Sequence, residues 1–175
     1  MHTVELLPDP ATEDRVVRVW RALAAIGLPS QAGHRHPTNR PHLTLATSAE
    51  LTPSGRPGLV PALSVLPVPL RLEGVVRFGG RTRVLAWRVV PGAELTALQR
   101  QVWELLRADG DEDRNPLHDP ENWTPHLTLG RSRSADARWP DGSLPAELAE
   151  PWEGSLTLAR SYDSVRRTVV PLAEG

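Results

Sequence analysis

The segment "RPHLTLA", residues 40–46, returns almost unchanged as "TPHLTLG" at residues 124–130. Two copies of PHLTL thus stand 84 positions apart in a chain of 175 residues. Side chains of a β-strand alternate between its two faces, so the histidine and threonine of each copy share one face and its two leucines share the other. Each copy therefore predicts a strand whose leucines enter the core while an imidazole and a hydroxyl lie on the opposite face.

Similar elements precede and follow the two copies in the same order. Alternation and helical periodicity predict the following segments: a strand at His2–Pro8, a helix capped by Asp9 and ending near Ile26, hairpin strands at Leu70–Phe78 and Arg83–Val90, a helix at Ala93–Ala108, and a last hairpin at Gly154–Tyr162 and Val165–Val170 around Asp163 and Ser164. A polar loop leads into each PHLTL. The order strand, helix, loop, motif, hairpin, helix, loop, motif, hairpin is a twofold repeat.

Length and composition limit the classes of protein to which the chain can belong. A chain of 175 residues fits one domain, 1–175, with a hydrophobic core of its own. The absence of cysteine excludes disulfides, thiolate metal sites and a cysteine nucleophile. No apolar run approaches a membrane span, and the N-terminal "MHTVELLPDP" does not have the pattern of a signal peptide, so we expect a soluble cytoplasmic protein.

The charge of the chain also restricts its partners. A formal net charge of −1 argues against a broad electrostatic grip on duplex DNA. All 20 basic residues are arginine, which suits phosphate contacts but also fits a uniform codon bias. We therefore expect an anionic partner to be small or held locally, and we expect no DNA duplex and no membrane as a partner.

Two histidines facing each other across a cleft suit phosphodiester chemistry. If the halves pack about a pseudo-twofold axis, the two motif strands direct His42 and His126 into one cleft. One neutral imidazole can take a proton from the attacking group while the other, protonated, gives one to the leaving oxygen. The hydroxyls of Thr44 and Thr128 can donate to the non-bridging phosphate oxygens. This chemistry requires neither a metal nor another cofactor.

The doubled HLTL, at residues 42–45 and 126–129, resembles the 2H phosphoesterase superfamily, in particular its group of 2′-5′ RNA ligases and RNA 2′,3′-cyclic phosphodiesterases. The resemblance implies a bilobal, pseudo-twofold α+β fold with two antiparallel sheets around a central cleft and helices on the outside. It implies that His42 and His126 are the acid/base pair and that Thr44 and Thr128 hold the phosphate. The second motif of the family is often followed by a basic residue five positions after its histidine; Arg131 stands there, which implies a role for Arg131 in binding substrate.

Several assignments remain open at this level. Strict alternation puts Arg131 on the leucine face, so its role needs a bulge near Gly130. Trp123 either lines the groove or fills the core. His34 and His36 are predicted in a flexible loop, with a metal site as the alternative, and His118 is predicted to be exposed at the surface. Ser48 and Ser132 share the parity of their motif histidines, so they either extend the polar groove or are ordinary serines of polar turns.

The resemblance implies hydrolysis of a 2′,3′-cyclic phosphate, on RNA 3′ ends or on a small nucleotide, by a monomer. A second possibility is cleavage or ligation of 2′,5′-phosphodiesters in the same groove. A third is a protein of the same fold that binds a nucleotide or phosphate without catalysis. The first motif continues as "ATSAE", residues 46–50, where the family usually has an aromatic residue and a glycine, which leaves the substrate subgroup undetermined.

Overall fold

The computed structural model of the chain describes residues 1–51, 55–108 and 115–175. Its main elements are β1 His2–Pro8, α1 Pro10–Ala25, β2 Leu43–Ser48, α2 Gly55–Leu63, β3 Val68–Phe78, β4 Arg83–Val89, α3 Ala93–Ala108, β5 His126–Ser132, β6 Trp152–Asp163 and β7 Thr168–Glu174. The loop before the second motif was predicted from residue 109, and residues 109–114 of it lie outside the described ranges. Across the described residues, no helix has the length and apolar character needed to cross a membrane.

The strands form one antiparallel sheet in the order β2-β1-β6-β3-β4-β5, with β7 beside β6. The α+β class is confirmed, but the strands of the two halves are joined in one continuous sheet where two were expected. The reason is the length of β6, whose beginning pairs with β3 and whose remainder pairs with β1 and β7. The motif strands β2 and β5 stand at the two ends of this order and nevertheless contact each other, so the curved sheet brings its ends together.

The leucines of both motifs lie in the core, as their alternation predicts. Leu43, Leu45, Leu127 and Leu129 are each at most 1% exposed and belong to one apolar cluster with residues of α1 and α3. Because the helices cover this leucine face, the histidine face of β2 and β5 lies on the side of the strands away from those helices. The prolines before the two histidines cannot donate to a ladder, which suits the position of both strands at the ends of the sheet order.

The predicted start of α1 is confirmed, and its cap also fixes the helix to the sheet. The carboxylate of Asp9 accepts from the backbone N–H of Thr12 at 2.9 Å and from the N–H of Ser155, on β6, at 2.6 Å. Gly27 ends the helical region with φ 75°, a left-handed conformation that glycine adopts without strain. Helix α3 occupies Ala93–Ala108, as the apolar stripe predicts.

Two segments differ from the prediction. Helix α2 was not predicted because its sequence, "GRPGLVPAL", contains glycine and proline; it packs against α3 and β7. The last turn is longer than the expected "DS", so β7 begins at Thr168 and not at Val165. The carboxylate of Asp163 accepts from the N–H groups of Val165 and Arg166, and Arg167 completes the turn with φ 57°.

Candidate active site

The structure places the two motif histidines at the starts of two strands that contact each other. His42 directly precedes β2 and His126 begins β5, and both side chains are partly buried. The positive charge of His42 is among the causes that lower the pKa of His126. Thr44 and Thr128 follow on the same faces of their strands and are also partly exposed. The four side chains that the repeat singled out therefore lie, partly buried, on two strands that contact each other, and they are the candidates for one site.

Both imidazoles are oriented by the same hydrogen bond. Nδ1 of His42 lies 2.7 Å from the carbonyl oxygen of Arg40, and Nδ1 of His126 lies 2.7 Å from that of Thr124. A carbonyl only accepts, so Nδ1 carries the hydrogen in each ring, and this partner assigns the tautomer of the neutral form. Nε2 is thus the atom of each ring that is available for proton transfer.

A β-bulge in β2 changes which side chains share the face of His42. Thr44 and Ala46 pair with successive residues of β1, which leaves Leu45 without a partner. The extra residue reverses the alternation, so Thr47 joins the face of His42 and Ser48 leaves it. Ser48 is buried and donates to the carbonyl of Glu50, so it does not lie on the histidine face that its parity predicted.

The same bulge recurs 84 positions later in β5. Thr128 and Gly130 pair with successive residues of β4, and Leu129 is the extra residue. The reversal puts Arg131 on the face of His126 and removes Ser132 from it. This is the bulge that a role for Arg131 requires, and the charge of Arg131 lowers the pKa of His126.

Two tryptophans fix the backbones of the motifs, and each comes from the opposite half of the sequence. Nε1 of Trp20, on α1, donates to the carbonyl of Thr128 at 2.9 Å. Nε1 of Trp123 donates to the carbonyl of Thr44 at 3.0 Å. Trp123 packs against the apolar core, so the core interpretation describes it better than a groove lining. Each hydrogen bond satisfies a carbonyl on a strand that ends the sheet order.

A buried ion pair lies beside His42, and sequence reasoning missed it. Glu5, on β1, is 2% exposed, and its Oε1 lies 3.8 Å from Nε2 of His42. Its Oε2 accepts from Nε of Arg160, on β6, at 2.8 Å. Arg160 also donates to the carbonyl of Thr38 in the loop before His42, at 2.9 Å. The sequence feature that could have indicated this ion pair is an acidic residue, Glu5, inside the otherwise apolar strand segment "VELL".

His126 lies in a different environment. Its ring contacts the ring of Phe78, with 4.7 Å between their centroids. Burial lowers the pKa of His126, the hydrogen bond to the Thr124 carbonyl opposes this, and the charges of His42 and Arg131 lower it further. The two histidines of the repeated motif therefore differ through their surroundings: a carboxylate lies near His42, while cations and an aromatic ring lie near His126.

His118 was predicted to be exposed at the surface, but the structure places it near the motif histidines. Its side chain is partly buried, its Nδ1 lies 3.3 Å from the hydroxyl oxygen of Thr47, and burial together with the charge of His126 lowers its pKa to about 4. His34 and His36 are exposed, in keeping with their assignment to a loop. Over the described ranges, no three His, Asp or Glu side chains group as ligands for a metal ion.

Residues 7–160 match a family model described as the 2′-5′ RNA ligase superfamily. No curated protein matches the chain by sequence. A crystal structure of a phosphoesterase covers 99% of the chain and 95% of its own length, with 21% identity and a TM-score of 0.62. E. coli LigT complexed with NADP+ gives 20% identity, 98% and 94% coverage and a TM-score of 0.62. Kluyveromyces marxianus Usb1 gives 14% identity, 98% and 96% coverage and a TM-score of 0.56. These structures share the fold of the chain.

Proposed function

We propose that this chain, which belongs to the 2′-5′ RNA ligase superfamily, is a metal-independent phosphodiesterase that hydrolyses 2′,3′-cyclic phosphates by two-histidine acid/base catalysis. The observation that carries the proposal is the pair of Nε2 atoms presented by His42 and His126, each fixed by an Nδ1 hydrogen bond to a carbonyl. The substrate would be an RNA 3′ end or a small nucleotide. E. coli LigT has been solved with 3′-AMP and with ATP, and Usb1 with uridine monophosphate, which supports a nucleotide ligand for this fold.

The surroundings of the two histidines favour different roles. Burial and neighbouring charges lower the pKa of His126, so its neutral form persists and suits the base. The carboxylate of Glu5, 3.8 Å from Nε2 of His42, attracts that ring when it is protonated and suits the acid. A water oxygen attacks phosphorus while His126 takes a proton from it, and the bond from phosphorus to one ribose oxygen breaks as His42 protonates that oxygen. One water is consumed and one phosphomonoester forms.

The remaining groups of the site would hold the phosphate. The hydroxyls of Thr44 and Thr128 lie beside the histidines on the same faces and would donate to the non-bridging oxygens. Arg131, returned to the face of His126 by the bulge, would supply a guanidinium for the same oxygens. We propose that one domain, 1–175, working as a monomer provides the complete set.

The test uses the purified protein with 2′,3′-cyclic nucleotides and with a 2′,5′-linked dinucleotide, each with and without a chelator. We expect turnover of the cyclic esters to survive chelation. His42→Ala and His126→Ala should each lower kcat at least about 100-fold, because each removes a proton-transfer group. His34→Ala is the matched control, since that histidine is exposed in a loop, and it should retain full activity.

The outcomes separate the alternatives. Full activity in His42→Ala or His126→Ala would refute the paired mechanism. Preferred turnover of the 2′,5′-linked dinucleotide would assign the groove to 2′,5′-bond cleavage or its reversal. Binding of nucleotides without turnover of any ester would support a non-catalytic nucleotide-binding protein.

A further inference from the structure

Each motif histidine is preceded by another histidine eight positions earlier. His34 precedes His42 in the first half, and His118 precedes His126 in the second. Each of the earlier histidines lies at the end of a short 3-10 turn, Gln31–Gly33 or Pro116–His118. The two positions are therefore equivalent in the repeat. Their environments differ, because the side chain of His34 is exposed while that of His118 is partly buried beside the site.

The backbone of His118 is fixed to the bulge of the first motif. Gln99, on α3, is 1% exposed, and its side-chain N–H donates both to the carbonyl of Leu45 at 3.2 Å and to the carbonyl of His118 at 2.7 Å. Leu45 is the extra residue of the bulge that turns Thr47 toward the histidine face. One buried amide thus holds together the two backbones that bring the His118 ring and the Thr47 hydroxyl within 3.3 Å.

The chemistry of this pair suits a neutral polar ligand. The pKa of His118, about 4, keeps the ring uncharged at the pH of the proposed reaction. A neutral imidazole next to a hydroxyl offers hydrogen bonds but no positive charge to attract phosphate. The phosphate would instead be held by Arg131, which lies on the face of His126. Nδ1 meets Thr47, so Nε2 is the polar atom that the ring can offer to a ligand. A ribose hydroxyl and the edge of a base are the neutral polar groups of a nucleotide.

We propose that His118, with its ring positioned by the buried hydroxyl of Thr47, forms a recognition subsite for the nucleoside part of the substrate. The subsite rests on the proposed function, because it assigns a binding partner within the same groove. His118 takes no part in proton transfer in this scheme. Its loss should weaken the binding of substrates that carry a nucleoside and should spare a cyclic ester that has none.

The experiment compares His118→Ala with His34→Ala on a 2′,3′-cyclic nucleotide and on glycerol 1,2-cyclic phosphate, which has the cyclic ester without a nucleoside. For the nucleotide, His118→Ala should raise KM about five- to tenfold, the loss of about one hydrogen bond, and should leave kcat within about twofold. Neither parameter should change for the glycerol ester. His118→Gln, which keeps a hydrogen-bonding group, should recover part of the affinity, and His34→Ala should match the wild type.

A binding measurement separates failure of the subsite from failure of the proposed function. Calorimetry with a nucleoside 2′-monophosphate and with inorganic phosphate needs no turnover, and His118→Ala should weaken only the nucleotide. An unchanged nucleotide affinity, no nucleotide binding by the wild type, or an equal loss for both ligands would overturn the subsite. A wild type that binds the nucleotide through His118 but hydrolyses no ester would refute the hydrolase and leave the subsite standing.

Discussion

Replacement of Gly130 by alanine should destabilise the protein, because Gly130 lies where the second motif touches the loop that leads to the first. An added Cβ at this position would lie 3.0 Å from the carbonyl carbon of Pro29 and closer still to its oxygen, and 3.1 Å from Nε1 of Trp139. That same oxygen accepts the hydrogen bond of Trp139 at 2.9 Å. The neighbouring atoms belong to the backbone of Pro29 and to the ring nitrogen of Trp139, which already donates to that backbone. A change of side-chain rotamer therefore cannot make room for the methyl group.

The size of the effect follows from these contacts. Overpacking of a well-packed site costs about 1 to 3 kcal/mol, and loss of the Trp139 hydrogen bond adds about 1 kcal/mol. We therefore expect Gly130→Ala to lower the free energy of unfolding by about 3 kcal/mol. In a chain of this length that corresponds to a fall in Tm of about 6 to 12 °C.

Thermal and urea unfolding followed by circular dichroism would measure this loss. Gly142→Ala is the matched control, because it adds the same methyl group where no atom lies within 4 Å, and it should leave stability within about 0.5 kcal/mol of the wild type. Gly130→Ala with a Tm within about 1 °C of the wild type would refute the close contact between the bulge and Pro29.

Two further predictions concern charges near the histidines. Arg131→Met should raise the pKa of His126, because the charge of Arg131 lowers it, and NMR titration of the His126 ring should show the shift. The acidic limb of the kcat/KM profile should move to higher pH, because His126 is then neutral over a narrower pH range. The exposed control Arg133→Met should leave the titration of His126 unchanged, and an unchanged titration in Arg131→Met would contradict the prediction. Glu5→Gln should lower the free energy of unfolding by about 3 kcal/mol, since it leaves buried Arg160 uncompensated. In a double-mutant cycle Glu5→Gln and Arg160→Gln together should lose less than the two single losses combined, and strict additivity would show that the pair is not coupled.

Much of the fold follows from patterns that are local in the sequence. The alternation in PHLTL places Leu43 and Leu127 in the core and the two histidines on the other face, as the structure has them. The cap at Asp9 and the apolar stripe of α3 each specify a helix without knowledge of any partner. Such elements are predictable because the residues that stabilise them are neighbours in the chain.

The features that local patterns did not predict depend on distant partners. A bulge exists only against a paired strand, so the positions of Arg131 and Ser48 required the registers of β4 and β1. The position of His118 depends on Gln99 of α3, whose side chain donates a hydrogen bond to the carbonyl of His118. Helix α2 has poor intrinsic helical propensity and depends on its packing against α3 and β7. In each case tertiary contacts determine the outcome.

The crossed tryptophan hydrogen bonds have a consequence for how the repeat can be divided. Trp20 satisfies a carbonyl of the second motif, and Trp123 satisfies one of the first. A polypeptide severed between the two halves would leave each fragment with a motif whose backbone donor resides on the other. Reassembly of the two fragments would restore both hydrogen bonds, so each half of the repeat supplies a backbone donor that the other half needs.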